Sequence, residues 1–196
     1  MGTGELTFNA APNFESPTDA DADNVYEVTV EVEDGNGGTD SQTIAVTVTN
    51  VNEDPEITSS PTVSVAENQN SVLIVSSADV DGDTPEYSIF GGADATLFSI
   101  DSGTGVLSFN AAPNFEAPED VGADNVYNVI VEVDDGNGGT DTQDIAVTVA
   151  NVNDDPVITS TSFVSTAENQ PTVLTVTSTD EDGGTCLLYT SDAADE

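Results

Sequence analysis

The chain copies itself at one fixed offset. Phe8 returns as Phe109, Asn24 as Asn125, Asp34 as Asp135, Pro55 as Pro156, Glu67 as Glu168 and Asp79 as Asp180, each pair 101 residues apart. Between 2–54 and 103–155, 40 of 53 positions are identical and no gap is needed. A unit copied in this way is one structural repeat, stable through its own core and its contacts with the neighbouring copy. The division that follows is one whole unit at 55–155, the back part of another at 1–54 and the front part of a third at 156–185. Met1 aligns with Ser102, in mid-repeat, so the expectation is a piece of a longer array. After "STDEDGGT" the copy would continue as "PEYSIFGG", but the chain reads "CLLYTSDAADE". Residues 186–196 are therefore expected to be a non-homologous tail without function. They resemble translated library-adapter sequence more than a divergent end of the repeat.

Charge sets the next constraint. There are 38 Asp and Glu residues against no Lys, Arg or His, for a formal net charge of −38. Side-chain ion pairs are excluded, and self-repulsion opposes compaction unless salt screens it or bound cations offset it. Nucleic-acid binding is excluded for want of any group to meet phosphate. No apolar run approaches the roughly 20 residues of a spanning helix, so direct membrane insertion of this stretch is not expected. Cys186 is the one cysteine and has no partner for an internal disulfide.

Disorder would be the ordinary consequence of such charge, but the apolar residues are strictly patterned. In "VYNVIVEV" Tyr127, Val129, Val131 and Val133 alternate with Asn128, Ile130 and Glu132. Tyr26, Val28, Val30 and Val32 do the same in the first copy, with Glu27, Thr29, Glu31 and Glu33 facing outward. Period-2 alternation and the Gly-rich turns "DGNGGT" and "DSGTG" predict strands near 62–66, 71–77, 86–90, 96–100, 105–109, 126–133 and 143–149. Seven such strands with no helical periodicity predict an all-β, Greek-key sandwich of immunoglobulin-like type, in tandem.

Acidic clusters recur in step with the strands: "AEN" at 66–68, "DVDGD" at 79–83, "NFE" at 13–15 and 114–116, and "VEVDDG" with the linkers "NVNEDP" and "NVNDDP". Carboxylates that converge without bases need a cation, since neighbouring like charges cannot all stay ionised. Oxygen donors without imidazole or thiolate select Ca²⁺. The mid-strand Glu27, Glu31 and Glu132 read instead as an exposed face, and Asp83 and Asp134 are left undecided beside candidate ligands. "DADADN" at 19–24 superficially resembles the start of an EF-hand loop. It lacks a Gly at the sixth position and a Glu at the twelfth, and it reads as a solvated loop.

In this order, "AEN", "DxDG", "VxVxDG" and "NVNxDP" resemble the cadherin repeat, in the tandem form of large bacterial surface proteins and adhesins. The resemblance covers the chain to Thr185. It implies Ca²⁺ between successive repeats, held by the base of one repeat, the linker and the top of the next. At one junction it implies Glu67, Glu116, Asn151, Asn153, Asp154, Asp180 and Asp182 as ligands. At the other it implies Glu15, Asn50, Asn52, Glu53, Asp79, Asp81 and Asp135. Asn50 and Asn151 stand where the family has the first linker aspartate, and Asn13 and Asn114 where it has the aspartate of "DRE". The linker is also one residue shorter before its proline. Fewer or weaker ions per junction are therefore expected than in the animal proteins.

The function expected is a calcium-rigidified structural repeat of an extracellular or bacterial cell-surface stalk, serving adhesion. Its partners would be the neighbouring repeats of the same chain. The alternative is a sandwich that grips surface glycans or proteins without essential calcium. The chain has no Trp platform for a sugar, and Tyr26 and Tyr127 point inward by the alternation. Catalysis is not expected, because no His, Lys or Arg is present to activate a nucleophile. The two partial units are also expected to pair head to tail between molecules, one supplying early strands and the other late ones.

Overall fold

The computed structural model describes residues 4–189. The strands in chain order are β1 (Val25–Glu33), β2 (Thr39–Thr47), β3 (Glu56–Ile57), β4 (Thr62–Ala66), β5 (Ser71–Ile74), β6 (Ser77–Ala78), β7 (Glu86–Gly91), β8 (Phe98–Ile100), β9 (Val106–Phe109), β10 (Val126–Asp134), β11 (Thr140–Ala150), β12 (Val157–Ile158) and β13 (Ser178–Thr179). The expected strand at 71–77 is split into β5 and β6, and the residues before Phe98 form a single 3₁₀ turn, Ala95–Leu97. The other expected strands are present within one to three residues.

The whole unit is a two-layer sandwich. One sheet runs β4-β11-β10-β7 and the facing sheet runs β5-β9-β8, with β3 and β6 paired at one end. β10 and β11 form the central hairpin, Val126 opposite Thr148 through Asp134 opposite Thr140. β4 joins the outer side of β11 in parallel, so the first long strand of the unit lies beside its last. That pairing brings Ala66 against Ala150 and places Glu67 beside the start of the linker.

Alternation fixes which side chains fill the space between layers. Tyr127, Val129, Val131 and Val133 from β10 meet Ile145, Val147 and Val149 from β11, all buried. Val72, Leu107, Phe98 and Phe109 face them from the second sheet. Phe98 and Phe109 stack at 4.5 Å between centroids, and Tyr127 meets Phe109 edge-on at 5.1 Å. The Tyr127 hydroxyl reaches the surface end of this cluster and accepts a hydrogen bond from Glu119 N–H at 3.2 Å. A buried phenol thus keeps its polar end paired.

The partial units keep local geometry and lose the sandwich. β1 and β2 pair in the same register as β10 and β11, shifted by the repeat offset. Phe8 and Tyr26 meet edge-on at 5.1 Å, and the Tyr26 hydroxyl accepts from Thr18 N–H. Yet Val30 is 37% and Val32 is 65% exposed, where Val131 and Val133 are at 0%. The alternation puts Val30 and Val32 on an apolar face, but no described strand plays the part of β7 or of the second sheet for that hairpin. In the third unit β12 and β13 reproduce the β3–β6 pairing, while 159–177 contain no strand and Phe163 is 89% exposed. Among the described residues no strand pairs with that segment as β9 and β11 pair with β5 and β4. Of the tail at 186–196, Cys186–Tyr189 form no strand and residues 190–196 lie outside the described residues.

Two glycines make close approaches possible. Gly105 (φ +68°) sits against the Val75 carbonyl, and Gly92 (φ +112°) lies where a Cβ would come 2.5 Å from the Asn128 carbonyl oxygen and 2.6 Å from Val129 Cα. Gly92→Ala is expected to destabilise the whole unit well beyond the about 1–3 kcal/mol of an unfavourable backbone conformation. Gly136→Ala (φ +78°, with open space around it) should cost only about 1–2 kcal/mol. Urea unfolding of both variants checks this, and equal losses would mean that the close approach at Gly92 does not exist.

Candidate metal centres at the repeat junctions

Each junction is assembled from a loop before β1 or β10, a linker after β2 or β11, and the loop after β6 or β13. At the junction following the whole unit the organising group is Glu67, which is 1% exposed. Its backbone N–H donates to the Ala150 carbonyl, continuing the β4–β11 alignment past the end of the sheet. One carboxylate oxygen accepts from Phe115 N–H and the other from Val152 N–H, both at 2.8 Å. A single buried carboxylate therefore fixes the "NFE" loop and the linker together. Asn68 follows in the left-handed region (φ +62°), its N–H donating to the Pro113 carbonyl.

This arrangement brings Glu67, Glu116 and Asp154 together, with one carboxylate oxygen from each lying within 4.8 Å of the others. Asp182 is tied in from the next unit: Asp154 N–H donates to one of its oxygens at 2.7 Å and the Asn151 amide to the other at 2.9 Å. The same Asn151 nitrogen donates to Glu116 Oε1 at 2.7 Å. Glu116 Oε2, Asp154 Oδ2 and Asp180 Oδ1 are buried and have no hydrogen-bond partner. Asn153 is exposed, and its amide nitrogen donates to the Asp154 carbonyl at 3.0 Å.

The junction before the whole unit repeats the plan. Glu15, Glu53 and Asp81 converge within 4.8 Å, as do Asp79, Asp81 and Asp83. Asn50 donates to Asp81 Oδ1 at 2.7 Å, and Glu53 N–H donates to Asp81 Oδ2 at 2.9 Å. Asp79 Oδ1 caps its own turn, accepting from the N–H groups of Asp81 and Gly82. Its other oxygen and Glu15 Oε1 are buried without partners. Asp135 is buried and accepts from the N–H groups of Asn137 and Gly139 and from the Asn52 amide at 2.6 Å. It stands in none of the three-carboxylate groups, so it ties the linker to the "DGNGG" turn.

The electrostatics are divided. Burial first, then repulsion from Glu67, Asp182 and Asp154, pushes the Glu116 carboxyl above its ordinary range. Burial and the neighbouring Glu67, Glu181 and Asp182 do the same to Asp154, and burial with Glu15 and Asp81 to Glu53. Asp182 is held low by Asp154 N–H and the Asn151 amide, Asp81 by Glu53 N–H and the Asn50 amide, and Asp135 chiefly by the Asn52 amide. Each junction thus contains carboxylates that resist ionisation beside others held ionised. Asp83, undecided from the sequence, belongs to a carboxylate group and accepts from the Asn137 amide at 2.8 Å. Glu181, missed in the sequence, accepts from Asn114 at 3.0 Å; its one signal was its place inside "DEDG". Asp19, Asp21 and Asp23 also converge, although the loop looked solvated in the sequence.

Comparison with known proteins bears on the fold. Residues 52–148 match the family described as "Bacterial Ig domain". In solved structures the chain resembles protocadherin gamma B7 extracellular cadherin domains 1–4 (22% identity, 85% of this chain and 43% of that one, TM-score 0.53). It also resembles Drosophila N-cadherin EC1–4 (15% identity, 87% and 44%, TM-score 0.55) and mouse cadherin-23 EC22–24 (22%, 85% and 56%, TM-score 0.50). The whole unit has a cadherin-like fold, and most of it matches the bacterial Ig model. The chain spans about half the length of these structural relatives, and no curated protein matches it.

Within this cadherin-like repeat, Glu67 is expected to be structural as well as a candidate ligand. Glu67→Ala leaves two backbone N–H groups without an acceptor, at about 1–3 kcal/mol each. The metal-free protein should therefore lose on the order of 2–4 kcal/mol, whereas Glu27→Ala on the exposed strand face should stay within about 0.5 kcal/mol. Denaturant midpoints in EDTA measure both, and comparable small effects would remove Glu67 from its organising place.

Proposed function

We propose that this chain is a calcium-dependent spacer of a bacterial cell-surface stalk or adhesin, with Ca²⁺ rigidifying the junctions at 50–54 and 151–155. The supporting observation is the set of buried, unpartnered carboxylate oxygens on both sides of the linker: Glu116, Asp154 and Asp180 at one junction, Glu15 and Asp79 at the other. A buried charged oxygen without a partner costs several kcal/mol unless something compensates it. In a chain without Lys, Arg or His, the compensating charge has to come from solution. Carboxylates, amide oxygens and main-chain carbonyls fit a hard cation that takes six to eight oxygen ligands.

On this reading Glu67, Glu116, Asp154, Asp180 and Asp182, with Asn151, would hold ions at the second junction. Glu15, Glu53, Asp79 and Asp81, with Asn50, would do so at the first, and Asn52, Asn153 and Asp135 would support them. The bound ion supplies charge neutralisation between two repeats that otherwise repel, fixing the linker angle. The functional units are 1–54, 55–155 and 156–185, each repeat the partner of the next. The site offers no activated nucleophile, so the role is mechanical rather than enzymatic, and it belongs outside the cell, where millimolar Ca²⁺ is available.

Thermal melts of the chain in EDTA, Ca²⁺ and Mg²⁺ at matched ionic strength test this. At ten times Kd one ion contributes roughly 1.4 kcal/mol. For a unit of this size that is a rise on the order of 5–10 °C per site. The rise should be specific to Ca²⁺, and a Glu116→Gln, Asp180→Asn double variant should lose the second junction's share of it while keeping the first junction's. An equal response to any salt would reduce the acids to a screened surface.

A further inference from the structure

We infer that Asn151 and Asn50 are amide latches that tie consecutive repeats together without an ion and thereby lower the junction's affinity for calcium. The second half of this inference rests on the calcium reading above, and the first half stands without it.

Among side chains of this composition, only Asn and Gln carry N–H donors. Several of them bond main-chain carbonyls, but Asn50, Asn52, Asn114 and Asn151 donate to junction carboxylates. Asn151, one residue past the end of β11, directs its amide nitrogen at 2.7 Å to Glu116 Oε1 of its own repeat and at 2.9 Å to Asp182 Oδ1 of the next. A primary amide has two N–H bonds, and here each has one carboxylate oxygen, one on either side of the linker. Asn50, its counterpart in the repeat, reaches Asp81 Oδ1 at 2.7 Å across the first junction. The bond to the next repeat recurs at both junctions, whereas the bond to the preceding repeat is made by Asn151.

An aspartate at either position would set a further carboxylate against those already present, and no cation of the chain could separate them. Asparagine donates where aspartate would repel. Turning the amide about its last side-chain torsion presents Oδ1 in place of Nδ2, so the same residue becomes a neutral oxygen ligand when an ion enters. That ion must displace two charge-assisted hydrogen bonds and gains a neutral ligand rather than a charged one. Both effects weaken binding, while the ion-free linker keeps a cross-link it would otherwise lack.

The test uses the full chain with Asn151→Asp and Asn151→Ala, leaving the first junction intact. In EDTA, hydrogen exchange is read at Asp154 N–H, which bonds Asp182 across the same junction. Both variants should exchange faster than the parent, aspartate more so than alanine. In the parent, the Asn151 side-chain amide resonances should be shifted and slowly exchanging in EDTA and should move on adding Ca²⁺. By calorimetric titration Asn151→Asp should bind Ca²⁺ more tightly, on the order of tenfold for one added charged ligand, and Asn151→Ala should not. Unchanged exchange in Asn151→Ala, with free-rotor amide resonances in the parent, would overturn the latch whatever calcium does. A parent that binds no Ca²⁺ would overturn the affinity half and the calcium reading, leaving the exchange data to judge the latch alone.

Discussion

The geometry of the second junction depends on one buried carboxylate, Glu67, held between two segments far apart in sequence. Its oxygens accept from Phe115 and Val152, so the loop that carries Glu116 and the linker that carries Asp154 cannot separate without exposing buried N–H groups. The hydrogen-bonded backbone makes the charge tolerable at that depth, as carboxylates satisfied by main-chain donors generally are. Upstream, the parallel pairing of β4 with β11 delivers Glu67 to this place, because it aligns Ala66 with Ala150. Downstream, Asp154 N–H captures Asp182 and so engages the next repeat. Sheet register, linker path and repeat-to-repeat contact are therefore one connected arrangement.

A second constraint is the absence of any basic side chain. Proteins commonly converge acids on a lysine or arginine; this one uses backbone N–H groups and amides. Asp135, Asp81 and Asp182 are held ionised by such donors, while Glu53, Glu116 and Asp154 lie beside them with raised affinities for a proton. Amide donors carry no net charge, so they orient the carboxylates without cancelling their mutual repulsion. That residue of uncompensated charge, facing inward at both linkers, is what distinguishes the junction acids from those on the outer faces of β1 and β10.

Much of the fold was legible in the chain itself. Strict alternation in "VYNVIVEV" and "DIAVTV" gave the central hairpin, its inner face and its approximate ends, because a strand that buries one side has no freedom in its period. The repeat offset divided the chain and told which acids would recur together. Where the reading fell short, the cause was tertiary. Tyr26, Val28, Val30 and Val32 share the alternation of their buried counterparts, but burial depends on a second layer, and among the described residues none covers β1 and β2. Likewise "FVSTA" at 163–167 aligns with β4 and forms no strand, since a strand needs a partner edge. Asp83 was left undecided and Glu181 missed because side-chain direction within a Gly-containing loop follows from its turns rather than from any period.

The sequence by itself determined the repeat, the all-β class, the inner and outer faces of the long strands and the chemistry of the clustered oxygen donors. These follow from local periodicity and composition, which a single chain displays directly. Only the tertiary structure decided that Glu67 is buried between loop and linker, that Asn151 spans two repeats through one nitrogen, and that particular oxygens are left without partners. The first depends on residues 85 positions apart being brought together by the β4–β11 register and the second on residues 31 and 35 apart, and no local pattern encodes such distances.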